Sequence, residues 1–142
     1  MRKLVVALAV PLAAAGLSVR VAREARADED AGASRVSMTC ERVDGPGRVR
    51  CDVEARVGPG ETISWGDVVL TKTPPFVGAL RGRIGPHDAT AHDPDVWRWA
   101  LALVARGRGS GEVEGRVRLV VCKAGTCVPR EAPVSGRVVV GE

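Results

Sequence analysis

The sequence predicts an all-β chain: an immunoglobulin-like β-sandwich of about seven strands, held by disulfide staples. Three observations carry that reading. Short runs rich in Val are separated by Gly and Pro at regular spacing. No stretch of sequence sustains a helical apolar period between caps. Four cysteines form two pairs, each straddling a turn signal: Cys40 with Cys51, and Cys122 with Cys127. The strands are expected at 35–43, 48–57, 62–70, 77–84, 96–105, 113–122 and 134–140.

The chain before the first strand reads as a targeting segment. Met1-Arg2-Lys3 is a short positive start, Leu4 to Val19 is mostly apolar, and Ala25-Arg26-Ala27 fits a small-x-small cleavage rule. Residues 1–27 are therefore read as a signal peptide. An earlier cut after Ala15 and an uncleaved N-terminal anchor are the alternatives. The apolar run is shorter than the roughly 20 residues of a membrane span, and no later stretch of sequence could supply one. Residues 28–34 (DEDAGAS) are polar and small and are expected to be a disordered mature start. That leaves 35–142 as one β-sandwich domain.

The leader also explains the charge. The 142 residues carry 21 Lys+Arg against 17 Asp+Glu. Five of those cations and one acid fall in the leader, which leaves 16 of each sign beyond it. A domain with no cationic surplus is not built to grip nucleic acid, so the expected partner is a protein, whether a thiol–disulfide partner or an envelope protein. Cysteines confined to the mature part fit export to the periplasm or the exterior, where disulfides persist.

The first two strands can be read residue by residue. Asp44-Gly45-Pro46-Gly47 is a turn signal, and placing Val43 opposite Arg48 pairs Cys40 with Cys51, Met38 with Val53 and Val36 with Ala55. The period of two then gathers these six on one apolar face. Cys40–Cys51 is accordingly expected to be a buried structural disulfide, worth roughly 3 kcal/mol in loop entropy.

The second pair lies differently. Val117, Leu119 and Val121 form the apolar face of their strand, so Cys122 has the outward parity. Cys127 follows a four-residue connection, Lys123 to Thr126, and Lys123 is a neighbouring cation that would favour a thiolate. Spacing leaves two roles open here, an exposed redox pair and a hairpin clasp. Zinc is disfavoured, because Cys-x4-Cys with a distant Cys-x10-Cys matches no usual finger or ribbon.

The segment VRLVVCKAGTCVPREAPVSGRVVV resembles the end of the N-terminal periplasmic domain of the thiol:disulfide interchange protein DsbD. It has a strand, a Cys-x4-Cys pair (Cys122 and Cys127), a proline two residues on (Pro129) and a last apolar strand. The resemblance spans about 113–140 and is weaker back to about 62. It implies an immunoglobulin-like fold and thiol–disulfide exchange, with Cys122 and Cys127 as the exchanging, catalytic pair. It also implies an aromatic cap loop over that pair. The segment in the cap position, Pro86–Asp95, has no aromatic residue, and the chain has no Tyr. The competing reading is a non-enzymatic extracytoplasmic β-sandwich module that binds a partner and keeps both bonds as staples.

Other motifs add little. Trp97, Trp99, Leu101 and Leu103 alternate onto one face and are expected in the core, with ligand stacking by the tryptophans as the alternative. His87-Asp88 and His92-Asp93 form no metal signature and are expected in a solvated loop. GRGSGE (107–112) reads as a flexible turn and lacks dinucleotide spacing. A hydrolase triad has no G-x-S-x-G support. No cofactor or metal is implied.

Overall fold

The computed structural model describes residues 34–141. The signal-peptide expectation, and the disordered start apart from Ser34, lie outside the described residues. Ten strands follow: β1 (Arg35–Cys40), β2 (Arg42–Val43), β3 (Gly47–Arg56), β4 (Thr62–Lys72), β5 (Val77–Ala79), β6 (Arg83–Ile84), β7 (Ala91–His92), β8 (Val96–Ala105), β9 (Gly109–Lys123) and β10 (Thr126–Val140). The only helical element among the described residues is the 3-10 turn Pro86–Asp88.

Two sheets face each other. The first runs β1-β3-β8-β5, with β7 also against β8, and the second runs β2-β10-β9-β4-β6. That is the strand order of an immunoglobulin sandwich, with its ABED sheet and its GFC sheet (β10-β9-β4) extended by one strand at each end, β2 and β6. The fold class is an immunoglobulin-like β-sandwich.

The alternation of apolar and polar residues explains the core. Val49, Cys51, Val53 and Ala55 of β3 are buried, as are Trp97, Trp99, Leu101, Leu103 and Ala105 of β8. Facing them are Val113, Val117, Leu119 and Val121 of β9 and Val134, Val138 and Val140 of β10. In an aromatic-poor chain one large side chain spans the gap. Trp99 is fully buried and donates its indole N–H to the Gly85 carbonyl at 3.1 Å. Gly66 on β4 leaves room for it: a Cβ there would sit 3.1 Å from the indole and 3.0 Å from Leu119.

Several expected boundaries shift. The first hairpin has the predicted register, Cys40 opposite Cys51 through Val36 opposite Ala55. However, Val43 does not pair with Arg48. After Glu41 the chain leaves the first sheet, and β2 pairs in parallel with Val139 and Val140 of β10. The run 77–84 is two strands in different sheets. β5 and β7 share one edge of β8, and the chain crosses between them to place β6 beside β4. The expected flexible turn 107–112 is short, because Gly109 to Glu112 already pair with Val140 to Arg137. The last strand starts at Thr126 rather than 134, since Pro129 and Pro133 do not break it.

The reason lies in the pleat. β9 and β10 are joined by Ala124-Gly125, both with positive φ (49° and 80°), as a tight two-residue hairpin requires. Lys123 and Thr126 flank that turn, so even-numbered residues of β10 bond to β9 and odd-numbered ones face outward. Gly141, also odd, donates to Val43 on the β2 side at 2.7 Å. Pro129 and Pro133 therefore occupy positions whose missing N–H would have pointed away from β9.

Candidate functional site

Both cysteine pairs are disulfide-bonded, and no described cysteine is free. Each links directly opposed residues of one antiparallel ladder, with Cα atoms 3.9 Å apart for Cys40–Cys51 and 4.0 Å for Cys122–Cys127. Those are the close, non-hydrogen-bonded positions, where cross-strand side chains approach most nearly. Glu41 confirms the phase, since its N–H donates to the Arg50 carbonyl at 2.8 Å in the next rung. Neither bond joins the two sheets, unlike the inter-sheet bond of antibody domains.

The surroundings of the two bonds differ as the parity predicts. Cys51 is fully buried and Cys40 half-buried, and Cys40 Sγ would lie 3.1 Å from a Cβ on Gly136 across the sandwich. Cys122 is half-buried and Cys127 exposed, on the outer face of the second sheet. Thr62 pairs with Cys122 on its other side, and its hydroxyl donates to the Cys122 carbonyl at 3.5 Å. Lys123 is exposed at the turn.

Row by row, that outer face can be laid out from the register. Beyond Thr62–Cys122–Cys127 comes Trp65–Val120–Pro129, then Asp67–Arg118–Glu131, then Val69–Arg116–Pro133, with Arg83 of β6 opposite Val69. A β-bulge at Ser64 separates the first two rows, and a second lies between Leu70 and Lys72. Asp67 is fully buried although it points outward, because Arg83 and Arg118 lie over it. Arg118 donates through Nε to Oδ1 at 2.8 Å and through Nη2 to Oδ2, and Arg83 donates through Nε to Oδ2 at 2.7 Å. Burial by itself would raise the Asp67 carboxyl, but the hydrogen bonds from Arg118 and Arg83, with their charges, outweigh it and hold it below the usual carboxylate range. Arg118 also lies over the Trp65 ring, 6.0 Å from its centroid. Sequence reading passed over this cluster. Its one signal is a lone acid inside the apolar run Trp65–Leu70.

A second buried acid, Glu61, pairs with Arg130 at 2.6 Å, and Arg130 donates to the Ser34 hydroxyl at 3.2 Å. The histidine segment is locked rather than merely solvated. Arg81 grips Asp88 with two hydrogen bonds of 2.7 and 3.0 Å, and Asp88 also accepts from the Gly85 N–H. His92 donates through Nε2 to the Pro86 carbonyl and meets Trp97 edge-on, while His87 is exposed. Among the described residues no group of three or more His, Cys, Asp or Glu is placed to hold a metal, and no helix is long and apolar enough to cross a membrane. Trp97 and Trp99 are core residues, and the ligand-stacking alternative falls with their burial.

No family model matches the chain, and no curated protein matches it. Solved structures give distant likenesses. The seventh ScaB type I cohesin from Pseudobacteroides cellulosolvens is 13% identical over 74% of this chain and 91% of its own, with a TM-score of 0.42. The bacterial hydrophobin BslA is 12% identical over 77% and 95%, TM-score 0.39. Self-complemented MyfA, the major subunit of Myf fimbriae from Yersinia enterocolitica, is 16% identical over 78% and 99%, TM-score 0.38. Likenesses at this level bring no function to this chain. What the fold and its bonds define is a class: an immunoglobulin-like β-sandwich with two intra-sheet disulfides.

Proposed function

We propose that the protein is an exported binding module whose two disulfides are structural staples. One observation carries this. Each bond sits between residues directly opposed in an antiparallel ladder: Cys40–Cys51 at the last rung of β1–β3, and Cys122–Cys127 one rung from the β9–β10 turn. Such a bond fixes a hairpin that hydrogen bonding has already aligned. Two disulfides also fit an oxidising compartment, in line with the leader.

Thiol–disulfide exchange through Cys122 and Cys127 is the second reading. It is favoured by one feature, the outward position of an exposed Cys127 at a hairpin tip, and by the likeness of this hairpin's sequence to the DsbD N-terminal domain. In that reading a thiolate of the reduced pair attacks a partner disulfide, forms a mixed disulfide and releases one partner thiol. The second cysteine of the pair then displaces the other and re-forms Cys122–Cys127.

A redox titration of the purified protein in glutathione and dithiothreitol buffers separates the two, with thiols trapped by alkylation and located by peptide mass. Staples stay oxidised until the potential falls below about −300 mV. Selective reduction of Cys122–Cys127 at about −230 mV or above would overturn the staple reading in favour of exchange.

A further inference from the structure

The Arg83–Asp67–Arg118 cluster has no role in the fold's core, because it lies on the outer face of the second sheet. Burying a carboxylate is costly unless it is paired and hydrogen-bonded. Here the burial is supplied only by surface side chains: Arg83 stays 59% exposed and Arg118 42%. Two guanidinium groups converge on one oxygen, Oδ2, and share one negative charge. Within this trio one positive charge is left over; Glu131, opposite Arg118 in the ladder, is itself held by Arg116 at 2.7 Å. Also left over are the outward N–H groups: both Nη of Arg83 and Nη1 of Arg118 make no contact with Asp67. The carboxylate thus holds two like-charged forks side by side with donors toward solvent.

The surroundings narrow the ligand. A surplus of a single charge suits a monoanionic carboxylate, which Arg forks bind in plane. Next to the pair lies the apolar row Trp65, Val120 and Pro129. On the other side a shallow depression of about 410 Å³ is lined by Arg116, Glu114, Thr71, Pro133 and Ser135, among others. Two bulges bracket the part of β4 that presents Trp65 and Asp67, and bulges re-aim side chains. Arg and Trp beside an apolar strip are typical of protein interfaces. A sugar stacked on the Trp65 indole would have to share it with the Arg118 guanidinium, 6.0 Å from the ring centroid.

We infer that this face docks an acidic segment of a protein partner, with a Glu or Asp carboxylate seated on Arg83 and Arg118 and an apolar neighbour on the Trp65–Val120–Pro129 row. The inference rests on the reading of the sandwich as a binding module and names the chemistry of its partner. Its failure would leave the staple reading intact, because that is judged by redox potential alone.

The test uses isotope-labelled protein, with the arginine Nε–H and indole N–H signals followed by NMR. The probes are a synthetic peptide of alternating Glu and Leu, its Gln-for-Glu counterpart, and an oligomer of glucuronic acid. Saturable shifts at Arg83, Arg118 and Trp65 with the acidic peptide are expected. They should weaken about tenfold in Arg83→Gln, a loss of about 1.4 kcal/mol, and weaken again in about 0.5 M salt, where charges are screened within a few ångströms. Arg83→Gln leaves both Arg118 bonds to Asp67, so the fold is kept. Asp67→Asn removes a negative charge, which leaves the site more positive, and should still weaken binding, because the forks lose their anchor; a mere charge surplus would bind more tightly. Shifts that miss these three residues, binding unchanged in Arg83→Gln, or equal binding of the Gln peptide would overturn the inference. Tighter binding of the glucuronate oligomer would overturn the choice of a protein partner.

Discussion

Removing the two disulfides one at a time should give unequal losses, and the structure sets the difference. Cys40–Cys51 closes a separation of 11 residues and Cys122–Cys127 one of 5. The loop-entropy relation gives about 2.8 kcal/mol for the first and about 2.1 kcal/mol for the second. Burial widens the gap. Cys51 is fully buried and Cys40 packs against Gly136 across the sandwich, so deleting those sulfurs also leaves unfilled volume. A methylene-sized deletion in a core costs about 1 kcal/mol. The outward-facing pair loses no core contact. Cys40→Ala with Cys51→Ala should therefore cost nearly 4 kcal/mol, and Cys122→Ala with Cys127→Ala about 2 kcal/mol. For a domain of this size the two melting temperatures should differ by roughly 10 °C. Urea and thermal unfolding followed by tryptophan fluorescence would measure both. Equal losses, or a larger loss for the outer pair, would refute the division into buried and exposed staples.

Gly66→Ala should destabilise by about 1–3 kcal/mol, because its Cβ meets the enclosed Trp99 indole and Leu119 at 3.0–3.1 Å; an unchanged urea midpoint would show that the sheets can spread there. Stability should also depend on acid. Hydrogen bonding from Arg98 holds Glu54 below the usual carboxylate range, hydrogen bonding from Arg81 does the same for Asp88, and Asp67 is lowered as described. Carboxyls lowered in the folded state stabilise it above their unfolded values, near about 4, and that contribution is lost as pH falls through the folded values. The urea midpoint should hold from neutral pH to about 5 and fall below about 4, with a shallower fall in Asp67→Asn; an identical acid limb in that variant would contradict the assignment. Finally, Pro129→Val with Pro133→Val restores two outward N–H groups on β10. The variant should associate with rising concentration in sedimentation velocity, whereas a monomer throughout would mean that the prolines do not guard this edge.

Much of this structure could be read from side-chain alternation. The β1–β3 register, the inward tryptophans of β8 and the outward parity of Cys122 all follow from a period of two confirmed by a turn. What could not be read was set by tertiary pairing. Arg42 and Val43 look like the end of a strand, but they join the other sheet because β10 offers them a parallel partner. Glycines at 109 and 111 look like a loop, yet they pair in a strand. A Cβ on Gly111 would fall 2.7 Å from Pro74, so the small residue serves packing rather than flexibility. The last strand is expected only from 134, because local sequence does not say which side of a strand is open at Pro129 and Pro133. The Asp67 cluster was invisible for a related reason: its partners Arg83 and Arg118 come from two other strands.

The placement of the disulfides also decides how the domain would carry force. A pull along the chain through β1 reaches Cys40 and passes straight to Cys51, so residues 41–50 bear none of it. β2 lies within that bypassed stretch, so tension entering through β1 does not run along it to its parallel contact with β10 while the bond is intact. At the other hairpin, tension leaving β9 at Cys122 enters β10 at Cys127 and spares the turn. Together the two bonds withhold about 45–50 Å of contour length from the extended chain. Oxidised, the module would be a shorter and stiffer link; reduced, the same sequence would yield that length under load.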